Sequence, residues 1–236
     1  MLAWVLKSVS ERKPLTITID GPAGVGKGSL SKNLARHFGL HYLDSGAVYR
    51  ALAVDALAKG VVAEDELQLT ELAACLDLEF PAHQDYATFV GGNNVESLLR
   101  TEACSAMASK IASLAPVRAQ LLALQRSFQQ LPGLVADGRD MGTVVFAEAS
   151  FKIFLDASCE ERAQRRYKQL INQGLSASFD ALFASIRERD LRDRTRATAP
   201  LREADDAWVI DSSELSEKEV FQMVVKSVQR HIDERD

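Results

Sequence analysis

A short β-branched segment that runs directly into a glycine-rich loop constrains the fold of this chain more than any other feature. Leu15–Asp20 has the length and residue types of a buried strand, with Pro14 before it and Gly21 after it. Residues 29–38 are helical in composition and stop at Gly39. The loop therefore joins the end of a strand to the start of a helix, where backbone N–H groups and the helix dipole attract anions.

The loop has the spacing of a P-loop, a phosphate-binding turn. Its glycines let N–H groups converge on phosphate oxygens, and Lys27 supplies a point charge to the β- and γ-phosphates. Gly28 replaces the hydroxyl residue expected after the lysine, which argues against a GTPase. The structural alternative is a glycine-rich turn with an exposed lysine. The candidate ATP-binding residues are Gly21, Pro22, Ala23, Gly24, Val25, Gly26, Lys27, Gly28 and Ser29.

Strands and helices alternate along the rest of the chain, which predicts an α/β fold with a parallel sheet covered by helices on both faces. Further strands are expected at 41–43, 133–136, 151–156 and 207–211. Helices are expected at 47–59, 64–75, 101–114, 116–130, 158–172, 178–194 and 216–232. Residues 77–95 interrupt the alternation with a glycine–asparagine turn that is typical of an antiparallel hairpin, which indicates an inserted subdomain.

Composition and charge exclude several classes of protein. The 236 residues carry a formal charge of −5, and a protein that coats nucleic acid would need a basic excess instead. No apolar run is long enough to span a bilayer, and the apolar patch at 2–6 is too short for a signal peptide. Three scattered cysteines fit a reducing compartment. We expect a cytoplasmic monomer that binds small molecules, with no nucleic-acid or membrane partner.

Four blocks of the sequence resemble bacterial cytidylate kinases, which are P-loop enzymes of the nucleoside monophosphate kinase family. The blocks are 19–29 with its GKGS form of the P-loop, 43–50 (LDSGAVYR), 136–143 (ADGRDMGT) and 187–196 (RERDLRDRTR). The resemblance extends from about residue 15 to the end. It implies an ATP-dependent kinase that phosphorylates CMP or dCMP to CDP or dCDP in pyrimidine metabolism, with ATP as co-substrate and Mg²⁺ as cofactor.

The resemblance also implies a domain organisation. Residues 1–14 would be an N-terminal extension, and 15–236 a single kinase domain. Within that domain, about 72–102 would form the inserted subdomain that binds the nucleoside monophosphate, and about 172–196 a short lid. We expect Mg²⁺ to be held mainly by nucleotide phosphates and waters, with Ser29 nearby as an indirect ligand, because Mg²⁺ keeps much of its hydration.

Several charged residues are candidates for binding the acceptor nucleotide. Ser45 and Arg50 flank a turn after a strand, where a hydroxyl and a guanidinium could hold a base and a phosphate. Alternatively, Ser45 caps the next helix and Arg50 is solvated. The resemblance places Arg139 at the phosphate and Asp140 at the cytosine, and a carboxylate suits the exocyclic amino group of that base. The resemblance alone adds Ser109 and Arg118.

Residues 187–196 hold five arginines and three acids. Guanidinium groups grip phosphate with two parallel hydrogen bonds, and phosphoryl transfer requires neutralised charge. A solvated helix with ion pairs between turns is the alternative, but the exclusive use of arginine favours phosphate. The resemblance implies that Arg189, Asp193 and Arg196 face the acceptor. Together with Lys27, Arg192 and Arg194 are the catalytic candidates, at the transferred phosphoryl group.

Two other functions remain open at this point. The enzyme could prefer UMP, AMP or a small alcohol as acceptor, against which stands Asp140 beside Arg139. The chain could instead be a nucleotide-binding switch that holds ATP or GTP and signals to a partner. The missing hydroxyl after Lys27 and the arginine-rich segment argue against a switch.

Overall fold

The computed structural model describes residues 13–234, so residues 1–12 of the expected N-terminal extension (1–14) lie outside the described part of the chain. The strands are β1 (Leu15–Asp20), β2 (His41–Asp44), β3 (Leu78–Glu79), β4 (Phe89–Val90), β5 (Asn93–Asn94), β6 (Gly133–Gly138), β7 (Phe151–Asp156) and β8 (Trp208–Asp211). The helices are α1 (Lys27–Phe38), α2 (Ser45–Ala58), α3 (Glu66–Ala74), α4 (Glu102–Ile111), α5 (Ala115–Ser127), α6 (Cys159–Asn172), α7 (Phe179–Thr195) and α8 (Glu217–Asp233).

Five of these strands form one parallel sheet in the order β2–β6–β1–β7–β8. The central strand β1 is buried over Thr16–Asp20 because helices flank the sheet. The sequences of such strands are typically continuous runs of apolar or β-branched residues. The register sets Asp20 beside Gly138, and Asp44 beside Asp137. The predicted parallel sheet is therefore confirmed, and the carboxyl ends of β1, β2 and β6 meet at one edge.

A second, three-stranded antiparallel sheet in the order β3–β4–β5 lies within residues 77–95. Gly91 and Gly92 make the turn between β4 and β5, and both have positive φ angles (53° and 75°). Tyr42 of β2 packs against this segment, with ring centroids 5.3 Å from Tyr86 and 5.8 Å from Phe80. Aromatic packing thus fastens the small sheet to the edge of the large one.

Two local predictions were wrong. The sequence predicts a turn at 44–46, but α2 begins at Ser45 and Asp44 is its N-cap, with Oδ1 accepting a hydrogen bond from the Ala47 amide at 2.9 Å. Ser45 is therefore not the cap, because the carboxylate one residue earlier already satisfies the free amide. Strand β6 also continues two residues beyond the predicted 133–136, which brings Asp137 into the sheet. Within residues 13–234, no helix is long and apolar enough to cross a membrane.

Candidate active site

The glycine-rich loop follows β1 and ends in α1, as its sequence predicts. At Gly21 the φ angle is +149°, and a Cβ atom there would lie 1.9 Å from the Leu155 carbonyl oxygen, so only glycine fits. Lys27 is the first residue of α1 and is 5% exposed, unlike the exposed lysine of the structural alternative. Its Nζ atom donates to the Pro22 carbonyl at 2.8 Å. Burial, and secondarily the charge of Arg139, lower the pKa of this ammonium group.

Two buried carboxylates lie near Lys27. Asp20 ends β1, and its two oxygens accept hydrogen bonds from the amides of Met141 at 2.9 Å and Gly142 at 2.7 Å. Burial is the largest cause that raises the pKa of Asp20 to about 6. Burial likewise raises the pKa of Asp137, which the charge of Lys27 opposes. Together the two carboxylates balance the buried lysine and orient the turn after β6.

The charged segment 137–140, at the end of β6 and in the turn after it, is largely buried. The segment carries two acids and one arginine. Asp137 and Asp140 are nevertheless only 8% exposed each. The burial is possible because cationic side chains from other segments face both carboxylates.

Asp140 is the centre of a cluster of three charged side chains. Arg118 of α5 approaches Oδ2 of Asp140 at 3.4 Å, and Arg196 approaches Oδ1 at 3.7 Å. The guanidinium of Arg118 also lies 5.7 Å from the ring centroid of Tyr49 on α2. Burial raises the pKa of Asp140, whereas the two arginines lower it. The structure thus brings together three predicted site residues from three separate segments.

A second group of predicted residues connects this cluster to α7. Arg139 donates from Nε to Asp193 Oδ2 at 2.8 Å. Partial desolvation, and secondarily the charge of Arg139, lower the pKa of Arg189 to about 10 although its side chain is partly exposed. Ser45 also lies here, because a Cβ atom at Gly138 would come within 2.6 Å of its hydroxyl. Cations from α7 and the turn after β6 are therefore crowded together, an arrangement that suits an anionic ligand.

Three predicted residues lie apart from the Asp140 cluster. Arg192 and Arg194 are 57% and 50% exposed, and they pair with Glu188 at 3.0 Å and Asp156 at 3.5 Å. Ser109 is exposed on α4. The structure does not gather these three side chains with the Asp140 cluster.

Two clefts border the site. The larger, of about 430 Å³, lies between α1, β2 and the small sheet, and Arg50 is among its lining residues. Ser29 is exposed and lines the smaller cleft, of about 30 Å³, together with Leu30, Arg165 and Phe221. Arg50 and Ser29 therefore line different clefts, which lie on different sides of α1.

Sequence reasoning gave no role to three buried charged residues: Asp20, Asp137 and Arg162. For Asp20 a signal was present, since an acid that ends a β-branched strand just before a P-loop lies at the ligand-binding edge of a parallel sheet. For Arg162 there was none, because one arginine among several on an amphipathic helix looks like a solvated residue.

Comparison with known proteins gives consistent results. A sequence model described as cytidylate kinase matches residues 17–230. A protein from Shewanella denitrificans named cytidylate kinase is 52% identical over 227 residues, covering 95% of this chain and 100% of its own length. One of the same name from Pasteurella multocida is 49% identical over 220 residues, covering 93% and 97%. A solved structure of an uncharacterized protein from Eubacterium ventriosum shares the fold alone, with a TM-score of 0.50, 10% identity, and coverage of 92% of this chain and 99% of that one.

Proposed function

This chain belongs to the cytidylate kinase family, and from that membership we propose that it transfers the γ-phosphoryl group of ATP to CMP or dCMP, giving ADP with CDP or dCDP. Membership makes the chain an ATP-dependent phosphotransferase. We further propose which base the acceptor carries and which residues bind each nucleotide. The observation that carries the proposal is the cluster in which the half-buried Arg118 and Arg196 face the buried Asp140, after the strand that lies beside β1.

The P-loop would hold ATP. Its backbone amides cradle the phosphates at the start of α1, and Lys27 donates to the β- and γ-phosphates. In the structure Lys27 donates to Pro22 within the same loop, and this contact holds the ammonium group at the place where the phosphates would bind. We assign the smaller cleft, with its apolar wall of Leu30, Leu155 and Phe221, to the base of ATP.

The cluster around Asp140 would hold the acceptor. The Asp140 carboxylate accepts a hydrogen bond from the exocyclic amino group of cytosine, where uracil presents an acceptor and is disfavoured. Ser45 would contact the base, and Arg50 and Arg139 the monophosphate. Arg118, Arg189, Asp193 and Arg196 complete this set, and Ser109 would join it if the small sheet and α4 close over the ligand.

Phosphoryl transfer then needs positioning and charge neutralisation rather than a covalent enzyme intermediate. An oxygen of the acceptor phosphate attacks the γ-phosphorus in line with the departing ADP oxygen. Lys27 and the arginines of α7 neutralise the charge on the transferred group. Arg192 and Arg194 would reach it when α7, within the lid at about 172–196, closes over both nucleotides and excludes water.

The residues present fit a Mg²⁺ ion that arrives with ATP. No cluster of three His, Cys, Asp or Glu side chains in residues 13–234 could hold a metal ion. Mg²⁺ characteristically keeps several waters and binds substrate phosphates with one or two carboxylates, so such a cluster is not required. Asp137 is a carboxylate beside the P-loop, with Oδ2 3.4 Å from a Cβ placed on Gly28. Ser29, two residues after Lys27, supplies the hydroxyl. When bound, the ion neutralises phosphate charge.

The proposal is tested by offering CMP, dCMP, UMP and AMP with Mg-ATP in a coupled assay for ADP. We expect turnover with CMP and dCMP, weaker turnover with UMP, and almost none with Mg-ATP alone. A preference for AMP, or equal use of CMP and UMP, would contradict the assignment of the base. Slow hydrolysis without an acceptor, linked to a change of protein partner, would favour a switch. Size-exclusion chromatography tests the proposed monomer, and cell fractionation tests the proposed cytoplasmic location.

A further inference from the structure

Arg162 on α6 is almost completely buried, and each of its three nitrogen atoms donates a hydrogen bond. Its side chain is only 4% exposed. Nε donates to the Ala157 carbonyl at 3.0 Å, and Nη1 donates to the Ala23 carbonyl at 2.9 Å. The guanidinium also grips both carboxylate oxygens of Asp190, with Nη1 to Oδ1 at 3.0 Å and a second bond from Nη2. One side chain therefore connects the segment after β7, the P-loop and helix α7.

Helix α7 packs along α6, with the ring centroids of Phe179 and Tyr167 6.5 Å apart. None of its residues is buried, and Leu191 is 64% exposed. The ion pairs of Arg192 and Arg194 are half-exposed, and such pairs contribute little. A bidentate pair that is shielded from water holds two groups in a defined geometry. The contact with Asp190 and the bond between Arg139 and Asp193 are thus the shielded ion pairs that tie the exposed helix α7 to the segments of the site.

We propose that Arg162 is a positioning residue, which acts through Asp190 to set the position of α7 and its arginines relative to the P-loop for phosphoryl transfer. The inference rests on the proposed function, since the arginines require this position only if they neutralise a transferred phosphoryl group. Asp190 follows Arg189 directly and lies one turn before Arg194, so a displacement of Asp190 displaces both guanidinium groups. Displacements of about 1 Å can cost on the order of a hundredfold in rate.

The experiment uses the full chain with Arg162→Lys, Asp190→Asn and the double variant. Lysine keeps the charge but cannot make the two parallel hydrogen bonds. The control is Arg230→Lys, the same substitution at an exposed position on α8. We expect each single substitution to lower kcat about tenfold or more. The kcat of the double variant should lie no more than about threefold below that of the slower single variant, because the effects of substituting two contacting residues are not additive. If the fold-loss of kcat in the double variant equalled the product of the two single losses, the proposal would be overturned.

Amide hydrogen exchange provides a readout that does not depend on activity. In both single variants the amides of residues 179–195 should exchange at least about tenfold faster, while those of the sheet and of α1 keep their wild-type rates. Unchanged protection of α7, or faster exchange across the whole chain, would overturn the proposal. If the wild-type protein failed to phosphorylate CMP, the proposed function would fail, and exchange would still decide whether Arg162 positions α7. If Arg162→Lys did not fold, Asp190→Asn would carry both measurements.

Discussion

The Nε atom of Arg139 donates to Oδ2 of Asp193 at 2.8 Å, and this hydrogen bond joins the turn after β6 to helix α7. Both side chains are largely shielded from solvent, at 17% and 16% exposure. Arg139 also donates to the Gly138 carbonyl at 3.2 Å, so its guanidinium has a defined orientation. A residue proposed to bind the acceptor phosphate is thus held by the helix that is proposed to close over it.

Arg139→Lys should weaken acceptor binding although it keeps the positive charge. An ammonium group cannot donate to Asp193, Gly138 and a phosphate in the same planar geometry. We expect the KM for CMP to rise about tenfold or more, with a smaller change in the KM for ATP, in steady-state kinetics. Arg36→Lys, in an exposed ion pair with Asp85, is the matched control. An unchanged KM for CMP would show that Arg139 does not contact the acceptor.

Lys27→Ala should abolish most phosphoryl transfer. The substitution removes the only cation that the P-loop itself carries, and lost charge stabilisation of this kind costs on the order of a hundredfold to a thousandfold in kcat. Circular dichroism should verify that the variant is folded. Lys59→Ala, at an exposed lysine that pairs with Asp55, should retain wild-type turnover. Turnover of Lys27→Ala near the wild-type rate would refute the role of the P-loop lysine.

Asp140→Ala should mainly raise the KM for the acceptor and weaken the choice between bases. The variant loses the acceptor for the cytosine amino group, and it also leaves Arg118 and Arg196 without their carboxylate. A base-specific contact is worth roughly a fivefold to hundredfold preference, and we expect the ratio of kcat/KM for CMP over UMP to fall by such a factor. Asp206→Asn, at an exposed carboxylate that pairs with Lys152, is the control. If the ratio is unchanged, Asp140 does not read the base.

Asp20 should make the stability of the protein fall between pH 4 and pH 6. Its pKa is raised from the usual 3.8 to about 6 in the folded protein, chiefly by burial, so the folded state binds this proton more tightly than the unfolded state. The stability that this tighter proton binding contributes is fully present below about pH 3.8 and is lost as the pH rises through 6. The loss is on the order of 3 kcal/mol, since a pKa difference of one corresponds to about 1.4 kcal/mol.

The measurement is the free energy of unfolding in urea from pH 4 to pH 7 for the wild type and Asp20→Asn. The variant is expected to be less stable at pH 4, because an amide cannot accept both bonds from Met141 and Gly142. The difference between the two proteins should shrink as the pH rises. Parallel curves would mean that the carboxyl group of Asp20 titrates alike in both states.

The elements of the fold could be predicted from local patterns. Strands β1 and β7 are observed at the predicted bounds, Leu15–Asp20 and Phe151–Asp156, because β-branched and apolar runs between breakers suit buried parallel strands. The glycine-rich loop could also be predicted from its spacing. The structure explains its first glycine, because a side chain at Gly21 would collide with a backbone oxygen. Helix ends and strand ends were less predictable, as Asp44 shows, because several nearby polar residues can cap one helix.

The sequence alone determined the order of strands and helices, the P-loop and the density of arginine at 187–196. Only the tertiary structure decided which charges are buried and which are paired. Arg162 reaches Ala23 and Asp190, which are 139 and 28 positions away in the chain, and Asp140 meets arginines from two other segments. A charged side chain can be buried only where groups of opposite charge and hydrogen-bond partners reach it, and folding brings those partners from distant segments.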